Sequence, residues 1–136
     1  MLSRLGRQAG PHAALRRKGR ALEAQTAKSD VVVCTACYGT YDSLRPVEKS
    51  DPSVCYVAYT DSENRPEGWE YLATPPEVQG LNPRMRSKYI KVNTHLLFPE
   101  ARWTIWLDAA TIPLFTNLRP ILEKLPFADL YLKKHP

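Results

Sequence analysis

Residues 31–37 read VVVCTAC, and this run decides the architecture. Val31, Val32, Val33, Cys34, Ala36 and Cys37 leave no face of the segment for water, a pattern that belongs to a parallel strand covered on both sides. A strand that faced solvent on one side would alternate apolar and polar residues instead. Two more strands are expected at 54–60, VCYVAYT, and at 103–107, WTIWL. A short one is expected at Trp69–Leu72, and a last one at Ala128–Leu132. Between them, RMRSKYIKVNTHLLF at 84–98 has helical spacing and stops at Pro99. A shorter helix, capped by Thr116 or Asn117 and tolerating Pro120 in its first turn, should run to Leu125. Strands alternating with helices imply an α/β domain built on a mostly parallel sheet.

In such sheets ligands occupy the crevice beyond the carboxyl ends of the strands. The segment WTIWLDAATIP, residues 103–113, ends its apolar run in the single carboxylate Asp108. That acid is either a ligand contact or a helix cap, and the segment alone favours neither. The 54–60 strand also ends in an acid, Asp61, and the first strand breaks at Gly39 in a loop with Tyr38, Tyr41 and Asp42. These strand ends define one expected rim.

The helix over 84–98 carries two stripes. Met85, Tyr89, Val92 and Leu96 form an apolar stripe expected to face the core, and Arg84, Lys88, Lys91 and His95 form a basic stripe one residue away. The basic stripe is either a solvated face or a surface that meets a diphosphate. His95 taken singly reads as an ordinary structural histidine.

The chain has 136 residues, 43% hydrophobic, which suits one modest domain. Its net charge of +5 is confined to residues 1–30, which hold seven Lys/Arg and two acids, whereas residues 31–136 hold twelve of each. The expected organisation is therefore a basic leader at 1–29 and a domain at 30–136. The leader lacks the apolar stretch of a secretory signal, and no segment has the length to span a bilayer, so a cytoplasmic location is the expectation. An Arg-rich leader can also touch nucleic acid or anionic lipid. Three cysteines do not make a disulfide framework, and Cys34 and Cys37 sit on opposite faces of one strand, so Cys34, Cys37 and Cys55 read as structural. The chain has no P-loop, G-x-G-x-x-G, H-E-x-x-H or G-x-S-x-G motif.

Several segments match one family in order: VCTACYGTYDSLRP, YVAYTDSE, GWE, RSKYIKVNTHLLFPEA, WTIWLDAATI and LYLKKHP. Residues 31–136 thereby resemble the glycosyltransferase-like family long filed as a domain of unknown function, whose members include the plant seed-mucilage and pollen turgor-regulation-defect proteins. The resemblance implies a Rossmann-like, GT-A type of fold that binds a nucleotide sugar, a UDP- or GDP-sugar, and transfers a hexosyl group to a hydroxyl of a glycan, lipid or protein acceptor. It implies that Asp108 and His95 are catalytic, and that Tyr38, Gly39, Asp42, Asp61 and Lys91, supported by Arg84 and Lys88, meet the nucleotide and its diphosphate. In that family Asp108 would open a degenerate D-x-D motif for Mn²⁺ or Mg²⁺. Ala110 stands where the family carries a polar residue, and a methyl group cannot ligate a hard cation, so Asp108 and His135 are the remaining metal candidates. The family also continues beyond a motif like His135–Pro136, so the resemblance implies that its acceptor-binding half is absent. The alternatives are a non-catalytic remnant or interaction module, and an anionic-surface or nucleic-acid binder that uses the leader.

Overall fold

The structure is a computed structural model and describes residues 29–114 and 116–126. The leader at 1–28, the strand expected at Ala128–Leu132 and the metal candidate His135 lie outside the described residues. Strands β1 (Val31–Cys37), β2 (Cys55–Thr60), β3 (Glu70–Tyr71) and β4 (Trp103–Trp106) form one four-stranded sheet in the order β3-β2-β1-β4. Every pairing is parallel, with Cys37 beside Thr60 on one side of β1 and Cys34 beside Trp106 on the other. Helices α1 (Pro83–Leu97) and α2 (Arg119–Glu123) complete an α/β, Rossmann-like domain.

The apolar run of β1 is explained by its neighbours. Val31, Val33 and Cys37 pack into a cluster with Tyr56, Trp69, Leu118 and Leu122. Val32, Cys34 and Ala36 pack on the other face with Tyr59, Ile90 and Leu97. Alternate residues thus enter alternate cores, and Cys34 and Cys37 are held apart on opposite faces as free thiols. Burial pushes both thiols above the usual range.

Helix α1 is rotated from the expected orientation. Its buried residues are Ile90, Asn93, Thr94 and Leu97, whereas Met85 is 45% and Val92 67% exposed. Tyr89 and Leu96 are half-buried. Two polar residues caused the misreading, because each satisfies itself locally and can then enter the core. Asn93 Nδ2 donates to the Tyr89 carbonyl at 2.9 Å, and Thr94 Oγ1 donates to the Ile90 carbonyl at 2.8 Å. The helix starts at Asn82, whose Oδ1 accepts from the Met85 amide at 3.0 Å. Arg86 adds bonds to the Leu81 and Gln79 carbonyls at 2.8 and 2.6 Å.

Other expectations shift as well. The Trp69–Leu72 strand shrinks to Glu70–Tyr71, and a 3-10 turn, Pro76–Val78, follows it. Among the described residues β4 is an edge strand. Helix α2 is not capped by Thr116 or Asn117; Leu118 precedes it without a side-chain cap. Its amide is instead bound by a distant carboxylate, Asp51, at 2.8 Å.

Asp51 is 5% exposed and accepts three hydrogen bonds: from Leu118 N, from Ser53 N at 2.9 Å and from Ser53 Oγ at 2.6 Å. The Ser53 hydroxyl foremost, then the Leu118 and Ser53 amides, hold this carboxyl below the usual aspartate range. One side chain therefore ties the loop before β2 to the start of α2. The chain offers no local signal for it, because its partner lies 67 residues away.

Two stability predictions follow from this packing. Ile90→Ala should cost about 3 kcal/mol in urea unfolding, as buried large-to-small changes do, while Val92→Ala should stay within about 0.5 kcal/mol. Asp51→Asn should cost about 2 kcal/mol at neutral pH, the range for hydrogen bonds to a charged group. Because the folded-state value is depressed, the contribution of Asp51 is complete above the unfolded value of about 3.9 and disappears as pH falls through the lower folded value. The wild-type and Asp51→Asn stability curves should therefore converge on acidification below about pH 4.

Candidate functional site

The parallel sheet brings three chain reversals together at its carboxyl edge. β1 and β2 end side by side, with Gly39 two residues beyond one and Asp61 immediately beyond the other. Gly39 adopts φ +72°, a left-handed conformation open to glycine. That geometry aims its amide at Asp61, whose two carboxylate oxygens accept it at 3.0 and 3.3 Å. A Cβ at this position would stand 3.0 Å from Pro83 Cβ, so the absent side chain also lets the first turn of α1 approach the loop. Arg86 then reaches Asp61 from α1 at 3.8 Å and lies over the Tyr38 ring at 5.6 Å.

A second pair stands at the end of β4. Asp108 Oδ1 accepts from Trp106 Nε1 at 2.9 Å and lies 3.6 Å from Lys91 Nζ. Lys91 also sits 5.8 Å above the Trp106 ring. The backbone behind the acid is pinned, since the Thr111 amide closes a turn on the Asp108 carbonyl at 2.9 Å and the Arg45 amide binds the Ala109 carbonyl at 3.1 Å. The Asp108 and Lys91 side chains are 75% and 52% exposed. An ion pair so solvated contributes about 0–1 kcal/mol to folding. Stability therefore does not require both charges, and both remain open to a ligand.

Asp61, Gly39, Asp108 and Lys91 thus occupy the rim that the strand ends define. Tyr38 is there too, but it is buried, and its hydroxyl shares a 2.9 Å hydrogen bond with Thr74. Burial raises its phenol above the usual range. Asp42 is exposed, and its carbonyl rather than its carboxylate is engaged, by the Cys37 thiol at 3.4 Å. Arg84, Lys88 and His95 lie on the outer side of α1 and meet no carboxylate among the described residues. His95 and Asp108 form no hydrogen bond or ion pair with each other; the partners of Asp108 are Lys91 and Trp106.

Arg86, Trp106 and Thr74 are the rim residues that sequence patterns missed. Arg86 falls in neither stripe of the helical wheel, and its partner is 25 residues earlier. Trp106 carried one signal: an indole two residues before an acid at a strand end, on the same side of the chain.

A Mn²⁺ or Mg²⁺ at this rim would need several oxygen ligands from the strand ends. No group of three or more His, Cys, Asp or Glu able to hold a metal ion exists among the described residues, and Ala110 adds only a methyl group beside Asp108. Hard cations of this kind want six or more oxygens. A cleft of about 460 Å³, lined in part by Asp51, Tyr56, Trp69 and Glu70, lies at the opposite, amino end of β2.

No family model matches the chain, and no solved structure matches it. It is similar to a protein named alkaline ceramidase TOD1 from Arabidopsis thaliana, with 28% identity over 134 residues. The match takes in 80% of this chain and 29% of the relative, so the chain spans less than a third of that protein's length. This finding overturns the glycosyltransferase resemblance and what it implied: the transferase activity, the UDP- or GDP-sugar donor and the hexosyl transfer. The relative is named for hydrolysis of a lipid amide. The physical reason for the error is general, since strand-end acids facing a basic helix are a property of many α/β rims and do not specify a nucleotide.

Gly39→Ala tests how tightly the rim is built. The left-handed backbone and the 3.0 Å approach to Pro83 should together cost about 1–2 kcal/mol in urea unfolding.

Proposed function

We propose that this chain is the headgroup-binding part of a hydrolase acting on an N-acyl lipid of the ceramide class. The observation that carries the reading is the solvated Asp108–Lys91 pair standing on Trp106 at the carboxyl end of the sheet. The similarity to a protein named alkaline ceramidase supplies the substrate class.

The headgroup of a ceramide presents hydroxyl groups and one amide beside long hydrocarbon chains. A carboxylate accepts hydrogen bonds from hydroxyl and amide N–H groups, and an ammonium donates to a carbonyl oxygen. Asp108 and Lys91 therefore offer the two complementary halves of such a headgroup, and the Trp106 ring offers apolar area where the hydrocarbon begins. Amide hydrolysis further needs an activated water, stabilisation of the oxyanion on the acyl carbon and a proton for the departing amine. In this reading Lys91 serves the second need, because its exposed ammonium can donate to a developing oxyanion. Asp61 is committed to the Gly39 amide and Arg86, so its role is to hold the neighbouring loop in place.

Binding of a short-chain, water-dispersible ceramide to the full chain, followed by calorimetry, tests the proposal. Asp108→Asn and Lys91→Ala should each weaken binding at least about tenfold, the value of one charge-assisted hydrogen bond. Both variants should melt with the wild type, given the exposure of the pair. Equal affinity in wild type and both variants would remove the pair from the site, and no measurable binding by the wild type would remove the lipid amide.

A further inference from the structure

Helix α1 holds Arg84, Arg86, Lys88, Lys91 and His95 and not one acid. Arg86 and Lys91 meet Asp61 and Asp108 at the rim. Arg84, Lys88 and His95 meet no carboxylate among the described residues. At 100° per residue, Met85, Lys88, Val92 and His95 fall within an arc of about 80°, on the side opposite Ile90, Asn93, Thr94 and Leu97. The outward face of this helix is thus apolar and cationic together. Beside its first turn stands Tyr41, 81% exposed, its ring next to the Gly39–Pro83 contact.

An exposed helix that only faced water would gain from mixed charges at i and i+4, whereas this face sets a valine and a methionine among cations with no acid between them. A helix that lies on a bilayer has this composition: apolar side chains enter the headgroup region, and lysine and arginine stems extend around them to reach phosphate. We infer that the outer face of α1 docks this domain on an anionic lipid surface. Charge decides between occupants. A second copy would bring Arg84 and Lys88 against the same cations across a two-fold axis, at a cost from like-charge repulsion. Residues 1–28 carry seven Lys/Arg against one acid, and are repelled by the face for the same reason. An anionic bilayer complements both the cations and the apolar side chains. The inference stands on α1 alone and does not require that the rim binds a lipid amide.

Sedimentation of the full chain with phosphatidylcholine vesicles, with and without phosphatidylserine, tests it. The wild type should bind the phosphatidylserine vesicles preferentially and more weakly as salt is raised. Arg84→Gln combined with Lys88→Gln should lower the partition coefficient roughly 25-fold, at about fivefold per charge. Met85→Ser combined with Val92→Ser should lower it about tenfold or more, because two apolar side chains no longer enter the interface. Melting curves of both double variants should match the wild type, since all four residues are exposed. Absence of vesicle binding by the wild type overturns the inference, as does equal binding by the wild type and both double variants. If the substitutions instead turn a dimer into a monomer while vesicle binding is unchanged, the face is a contact between copies and the inference is overturned. The double variants spare Asp108 and Lys91, so binding of the soluble ceramide should be unaffected. Loss of vesicle binding in the variants beside a wild type that binds no ceramide would leave surface docking supported and the lipid-amide reading refuted.

Discussion

Burial of β1 on both faces is the constraint from which the other elements take their places. Its backbone is bonded on one side by β2 and on the other by β4, and its side chains alternate into two separate cores. Neither core can form without a covering layer, because a strand with no polar face has nothing to offer water. Helix α1 covers one side through Ile90 and Leu97, and Leu118 and Leu122 at α2 help to cover the other. Because every pairing is parallel, each connection must return the chain to the same end of the sheet, and the strand ends that precede Gly39, Asp61 and Asp108 are left on one edge.

The rim divides its charged groups between support and exposure. Asp61 accepts the Gly39 amide and lies 3.8 Å from Arg86, and its neighbour Tyr38 is buried beneath the same arginine. Asp108 and Lys91 are joined to each other and to Trp106, yet both remain largely solvated. One acid therefore shapes the loop between β1 and α1, and the other is open to solvent and ligand. Helix α1 serves both, with Arg86 and Lys91 on its rim side, while its remaining cations and two apolar residues face outward.

The glycosyltransferase resemblance joins the basic stripe and the lone strand-end acid into one diphosphate site. Residue types at those positions are compatible with several ligands, because a carboxylate and an ammonium recognise any arrangement of donor and acceptor that matches them. The similarity to a protein named ceramidase changes the chemistry assigned to the rim without moving a residue of it. Of the four stripe residues only Lys91 meets a carboxylate among the described residues, while Arg84, Lys88 and His95 are exposed beside it.

The sequence by itself determined β1, β2 and β4 and their parallel arrangement. Runs such as VVVCTAC and VCYVAYT carry their burial in composition, and Pro99 marks the end of α1 without help from any distant residue. It also placed Asp61 and Asp108 at strand ends, because strand length is legible in the apolar run. Only the tertiary structure decided which way α1 faces, because Asn93 and Thr94 satisfy their polar atoms on the preceding turn and enter the core as apolar residues would. Only it paired Asp51 with Leu118, Asp61 with Arg86 and Asp108 with Lys91. Those contacts join residues 17 to 67 positions apart, and no local periodicity encodes a partner at that distance.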